Sequence, residues 1–155
     1  DKGYRPRYQK PLIQLRLLHY PYVESDNLED QQGVEAHTDT GAFTILMQDD
    51  ISGLEIKARD GSWLAASPIE DAFVINVGDM MQWWTAYRFI STPHRVTNRS
   101  GRSRYSVPFF VNPDRSAVIT RLGADPDDAG ARFEVGAHVE KAYVDAWPRE
   151  PTGVG

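Results

Sequence analysis

No cysteine occurs among the 155 residues, which excludes disulfide bonds and any metal site built on thiolates. Nor is there a run of about 18 or more apolar residues, the length a membrane helix needs. The N-terminus shows no signal-like pattern, so a cytoplasmic protein is expected. Basic residues are not in excess: 17 Lys and Arg stand against 22 Asp and Glu, a net charge of −5. That balance argues against a general nucleic-acid or anionic-membrane binder. Arg95, Arg99, Arg102 and Arg104 do gather, but a solvated strand and turn account for all except Arg104. There is no internal repeat and no low-complexity segment. Asn98-Arg99-Ser100 matches the glycosylation sequon, which carries no meaning without a secretory route.

What remains is one domain's length of ordinary globular sequence, 41% hydrophobic, able to bury a core. Short apolar segments separated by turn residues predict a mostly β fold, a sandwich or barrel. Strands are expected over Leu12 to Tyr20, Ala42 to Gln48, Ala72 to Val77, Arg95 to Asn98 and Arg104 to Val111. Asp60-Gly61 between Leu54–Ala58 and Ser62–Ala66 predicts a two-residue hairpin, since both residues tolerate positive φ. Met80 to Tyr87 fits either a short helix or a strand. Asn27 to Gly33 and Thr120 to Arg132 read as loops. Val135 to Trp147 places Val139, Tyr143, Ala146 and Trp147 on one face at helical spacing, a C-terminal helix packing on the sheet. The tail from Pro148 reads as frayed.

Without thiolates, metal ligands must come from His, Asp and Glu, which suits Fe(II) or Zn(II). His37-Thr38-Asp39 places two such ligands two residues apart, on one side of an extended chain. His94 then supplies a third from elsewhere in a compact β fold. Two histidines and one carboxylate are the residue types of the facial triad that holds Fe(II) and leaves the opposite positions open. Each residue alone has an ordinary explanation, and His-x-Asp occurs by chance. His19, at a strand end, and His138, on the helix, are read as structural.

Arg104 and Ser106 repeat the two-residue spacing, so their side chains share one face and Tyr105 takes the other. A guanidinium offers a planar fork to a carboxylate and a serine adds a donor. Tyr20 is a candidate third contact. A catalytic zinc site also needs three protein ligands and a water, but it gives Arg104 and Ser106 no role. The pairs Asp49-Asp50 and Glu70-Asp71 lie in expected turns and are given no chemistry, and Trp83-Trp84 reads as core.

Five ordered motifs now carry a resemblance: Leu17-Leu18-His19-Tyr20-Pro21, His37-Thr38-Asp39-Thr40-Gly41, Val74-Ile75-Asn76-Val77-Gly78-Asp79, Ser91-Thr92-Pro93-His94-Arg95-Val96 and Arg104-Tyr105-Ser106-Val107-Pro108-Phe109-Phe110. From about Leu12 to Asp114 the chain resembles the 2-oxoglutarate and Fe(II)-dependent dioxygenases of the isopenicillin N synthase-like branch. The resemblance implies a double-stranded β-helix (jelly roll), with Fe(II) on His37, Asp39 and His94. It implies 2-oxoglutarate on Arg104 and Ser106, helped by Tyr20, with O2 as oxidant and a small organic molecule hydroxylated or desaturated. Many plant members carry asparagine where Leu18 stands.

The family usually carries an N-terminal half ahead of the point matched by Leu12. Residues 1–11 therefore read as a lead-in, 12–114 as the catalytic core and 115–155 as a C-terminal loop, helix and tail. Reduced stability or an exposed apolar face is expected of this piece alone. Two alternatives stay open: an oxidase like isopenicillin N synthase, which takes no 2-oxoglutarate, and an inert binding module. Phe43, Ile45, Trp83, Phe109 and Phe110 are candidates for the cavity wall. Substrate identity and oligomeric state are not legible.

Overall fold

The computed structural model describes residues 5–22, 24 and 32–146. Eleven strands and two α-helices follow in order. They are β1 (Pro11–Leu15), β2 (Leu18–Tyr20), β3 (Gln32–His37), β4 (Phe43–Gln48), β5 (Leu54–Lys57), β6 (Trp63–Ala65) and β7 (Val74–Val77). After α1 (Asp79–Trp84) come β8 (His94–Thr97), β9 (Arg104–Asp114), β10 (Val118–Thr120), β11 (Arg132–Glu134) and α2 (Val135–Ala146).

Two antiparallel sheets make a jelly roll. One runs β1-β9-β4-β7 with β2 also on β9, the other β3-β8-β5-β6, and β10-β11 form a separate ribbon. Each sheet buries one face because side chains alternate along a strand. Tyr20, Leu54 and Val96 meet between the sheets, joined by Leu18, Val34, Leu46 and Val74. A second cluster, of Ala42, Met80, Trp84, Ile119 and Val135, closes one end beneath α1 and α2. Among the described residues no helix is long and apolar enough to cross a membrane.

Among the described residues, nothing covers the apolar outer face of the larger sheet. One row crosses four of its five strands at a single level, Leu15 to Phe109 to Ile45 to Ile75. Leu15 and Ile75 at its two ends are 57% and 60% exposed.

Several expectations need correction. Leu12 to Tyr20 is not one strand but β1 and β2, broken at Arg16 and Leu17. Opposite the break Arg16 donates its N–H to Pro108 O at 3.1 Å, and a proline has no N–H to return. The hairpin loop is longer than two residues. Ala58 N–H reaches Ser62 O, and Gly61 at φ 88° takes the left-handed position of a three-residue loop. In that loop Ser62 donates from hydroxyl and backbone to Asp60, which holds the Asp60 carboxyl below the usual carboxylate range.

Met80 to Tyr87 resolves as α1, ending at Trp84. The expected loop Thr120 to Arg132 instead carries strand residues at both ends, because Thr120 pairs with Arg132 in the β10-β11 ribbon. Gln32 and Gly33, expected in a loop, lie in β3, while the remainder of that loop, Asn27 to Gln31, lies outside the described residues, as do Trp147 and the tail from Pro148. Asn98 is buried and donates to Tyr20 O and Arg102 O, so the sequon side chain serves the fold. Arg95 pairs with Glu55 and Arg102 with Asp50. His19 stacks on Tyr105 and His138 on Phe133, both away from the His37–Asp39–His94 group.

Candidate active site

His37 ends β3 and His94 begins β8, and the two are directly paired across that ladder. Their rings lie 4.4 Å apart between centroids. His37 Nδ1 sits 2.8 Å from Glu35 O, and His94 Nδ1 sits 3.1 Å from Thr92 O. A carbonyl only accepts, so each Nδ1 carries the proton and each Nε2 keeps a lone pair. Asn76 Nδ2 also approaches His94 Nδ1, but at the longer distance of 3.4 Å.

Asp39 lies just past the end of β3 rather than within it. Between the two ligands Thr38 donates its hydroxyl to Asp79 Oδ2 at 2.9 Å. The loop is stitched to the start of α1. Asp79 N–H donates to Asp39 O at 2.7 Å and Gly78 N–H to Ala42 O at 2.9 Å. Gly78 is required by that closeness, because a Cβ there would stand 2.1 Å from Gly41 O.

Asp39 Oδ1 is then 3.9 Å from His37 Nε2 and 3.7 Å from His94 Nε2. One donor atom from each of the three residues lies within 4.8 Å of the others. Those separations are too long for hydrogen bonds. They approach the spacing of donors sharing one cation, roughly 3 to 3.5 Å for bonds of about 2.1 Å. The other oxygen, Asp39 Oδ2, accepts from Thr44 Oγ1 at 2.6 Å and from Asn76 Nδ2 at 2.7 Å. The donor set and its convergence fit a divalent metal.

Arg104 and Ser106, on the inner face of β9, are 0% and 3% exposed. Tyr20 lies opposite Arg104 across the β2–β9 ladder, its ring 5.0 Å from the guanidinium carbon. Arg104 Nη2 donates to Gln48 Oε1 at 2.8 Å and Nε to Ile51 O at 3.3 Å. Nη1 is buried with no hydrogen-bond partner among the described residues. A buried cation with a spare donor is costly unless an anion meets it, so this group fits a carboxylate ligand.

Both groups line one cavity of about 840 Å³ between the sheets. Of the expected wall residues, Phe43 and Phe110 do line it. Ile45 and Phe109, paired in the outer row, face the other way, and Trp83 packs on Phe133. Sequence reasoning missed Thr44, Asn76 and Gln48. A polar residue interrupting an apolar run, as in Phe43-Thr44-Ile45 and Ile75-Asn76-Val77, was the available signal for the first two.

The 2OG-Fe(II) oxygenase superfamily matches residues 12–113. The chain belongs to that superfamily. A probable iron/ascorbate oxidoreductase of Dictyostelium discoideum is 39% identical over 148 residues, covering 83% of this chain and 40% of that protein. The 2-oxoglutarate-dependent dioxygenase citB of Monascus ruber is 42% identical, over 76% of this chain and 38% of its own length. The crystal structure of a full-length Neurospora crassa protein with alpha-KG (2-oxoglutarate) and thymine superposes with a TM-score of 0.83 at 28% identity. It covers 93% of this chain and 47% of that one. This superfamily chain thus spans less than half the length of these relatives.

Proposed function

We propose that this superfamily member is a non-haem Fe(II) dioxygenase that couples oxidative decarboxylation of 2-oxoglutarate to hydroxylation or desaturation of a small organic substrate. His37, Asp39 and His94 hold the iron. Arg104 and Ser106 take the far carboxylate of 2-oxoglutarate, with the Tyr20 ring against the guanidinium. Iron, 2-oxoglutarate and O2 together supply the oxidising power. The observation that carries the reading is the buried Arg104 with its unpartnered Nη1, in the cavity that also holds the His37–Asp39–His94 group.

The protein's own residues hold and orient. Glu35 O and Thr92 O fix the tautomers that present both Nε2 lone pairs. Thr44 and Asn76 occupy one oxygen of Asp39 and leave Oδ1 toward the histidines. Leu18, Leu46, Val74 and Phe110 keep the cavity wall apolar around them. Residues 12–114 are the catalytic unit on this reading, with 1–11 a lead-in and 115–155 a C-terminal loop, helix and tail. The cytoplasmic setting, and a small molecule rather than a nucleic acid as partner, belong to the same proposal.

The test is to add Fe(II) and then 2-oxoglutarate without oxygen and watch for the visible charge-transfer band of the chelate. A band in the wild type that disappears in His37→Ala and Arg104→Ala supports both assignments. Metal binding without a band would overturn the 2-oxoglutarate role and leave an oxidase that does not use it. No metal binding by the folded protein would overturn the whole reading.

A further inference from the structure

Beyond β9 from β4, in the same sheet, the cavity wall is continued by one strip of alternating side chains, Leu12, Gln14, Arg16, Leu18 and Tyr20. At its far end Tyr20 serves Arg104. Nearer the middle lies a second cationic group with no part in the function proposed above. Arg16 is half-buried and lines the cavity, its guanidinium carbon 5.3 Å from the centre of the Phe110 ring. Its Nη2 donates to Gln14 Oε1 at 3.2 Å and approaches the Tyr143 hydroxyl at 3.4 Å. Tyr143, from α2, in turn donates to Gln14 Oε1. Strand and helix are tied together at this point by three polar side chains, all of which line the cavity.

Register places this trio relative to the metal ligands. Gln14 pairs with Phe110, Phe110 with Thr44, and Thr44 with Asn76, one level row across β1, β9, β4 and β7. Thr44 and Asn76 are the residues bound to Asp39. Two strand spacings, about 10 Å, therefore separate Gln14 from Thr44. Arg104 is four positions along β9 from Pro108, the backbone neighbour of Arg16, or about 13 Å of strand. The two cations thus start from well-separated backbone positions, with Arg104 turned to Gln48 and Ile51 and Arg16 to Gln14 and Tyr143. The wall between Arg16 and Asp39 is the face of Phe110.

We infer that Arg16, with Gln14 and Tyr143, forms the recognition site for a carboxylate on the substrate, which lays an apolar or aryl body across Phe110 toward the metal ligands. The planar guanidinium, an amide and a phenol suit a flat carboxylate better than a spherical or neutral group. The cavity volume, near 840 Å³, lies toward the upper end of the roughly 300–1,000 Å³ of common ligand sites. It can hold such an acid beside 2-oxoglutarate. The inference rests on the function proposed above and names the substrate class for that site.

The test uses phenylacetate, 3-phenylpropanoate and 4-phenylbutanoate, each against its own amide. They are titrated calorimetrically into protein loaded with Fe(II) and 2-oxoglutarate without oxygen. At least one acid is expected to bind about tenfold or more tighter than its amide. Arg16→Gln removes that preference and Arg16→Lys restores part of it, while the visible band of the 2-oxoglutarate complex persists in both variants. A wild-type protein that binds no acid better than its amide overturns the inference, as does an Arg16→Gln variant that keeps the preference. Loss of the band in the wild type would instead overturn the underlying assignment of iron and 2-oxoglutarate, so the two failures are distinct.

Discussion

Asn76 Nδ2 donates to Asp39 Oδ2 at 2.7 Å from the strand next to the one that carries Thr44, whose hydroxyl donates to the same oxygen at 2.6 Å. Two neighbouring strands thus fix one carboxylate oxygen and leave the other facing His37 and His94. The carboxylate is oriented before any metal arrives. That is the condition for a ligand set to bind without reorganising.

Removing either donor should therefore weaken the metal more than the fold. Asn76→Ala and Thr44→Val are each expected to lower Fe(II) affinity by about 10- to 100-fold, read by anaerobic metal titration. Circular dichroism should stay unchanged. An affinity equal to wild type in both variants would show that Asp39 orients itself.

The Arg104 clamp makes a separate prediction. Tyr20→Leu removes the ring that faces the guanidinium at 5.0 Å, a contact worth about 0.5–2 kcal/mol. The affinity for 2-oxoglutarate should fall by roughly three- to thirtyfold. Gln48→Leu strands Nη2 as well as Nη1, which should cost about 1–3 kcal/mol of stability by urea unfolding. A rise in stability on that substitution would mean that Gln48 is not the partner Arg104 depends on.

Gly78→Ala tests the junction between the Asp39 loop and α1. The added Cβ would stand 2.1 Å from Gly41 O and 2.8 Å from Asp39 O, so loop and helix must separate. A loss of about 1–3 kcal/mol is expected, together with weaker iron binding, because Asp39 moves with its loop. Stability lost with metal affinity intact would show that the loop relaxes without shifting the carboxylate.

The outer row Leu15–Phe109–Ile45–Ile75 should bind a hydrophobic dye in native buffer, since contiguous exposed apolar surface of this kind recruits such probes. Replacing Leu15 and Ile75 together by lysine should reduce the dye signal and leave Fe(II) binding in place. Dye binding unchanged by the pair would locate the exposed surface elsewhere.

How much of this was legible depended on whether a residue's role is local. The convergence of His37, Asp39 and His94 was readable because metal chemistry restricts the residue types that group in this way. The shared buried face of Arg104 and Ser106 followed from strand alternation. Thr44 and Asn76 were not, since a single polar residue in a strand acquires meaning only when register sets it beside Asp39. The break at Arg16 was hidden for a similar reason: its cause, Pro108, lies on β9, remote in sequence. β10 and β11 escaped because a three-residue strand surrounded by Gly, Asp and Pro looks like loop until its partner is known.

Strand β9 carries Arg104, Ser106, Pro108 and Phe110 on one face, and Tyr105, Val107 and Phe109 on the other. A single residue inserted or deleted between Arg104 and Phe110 would exchange the two sets for everything beyond it. Either the clamp or the Phe110 wall would then point at solvent. Length change in this strand is thus closed as a route to new chemistry. A lineage seeking another substrate must work by point substitution on strands and by freer editing of the loops that end them.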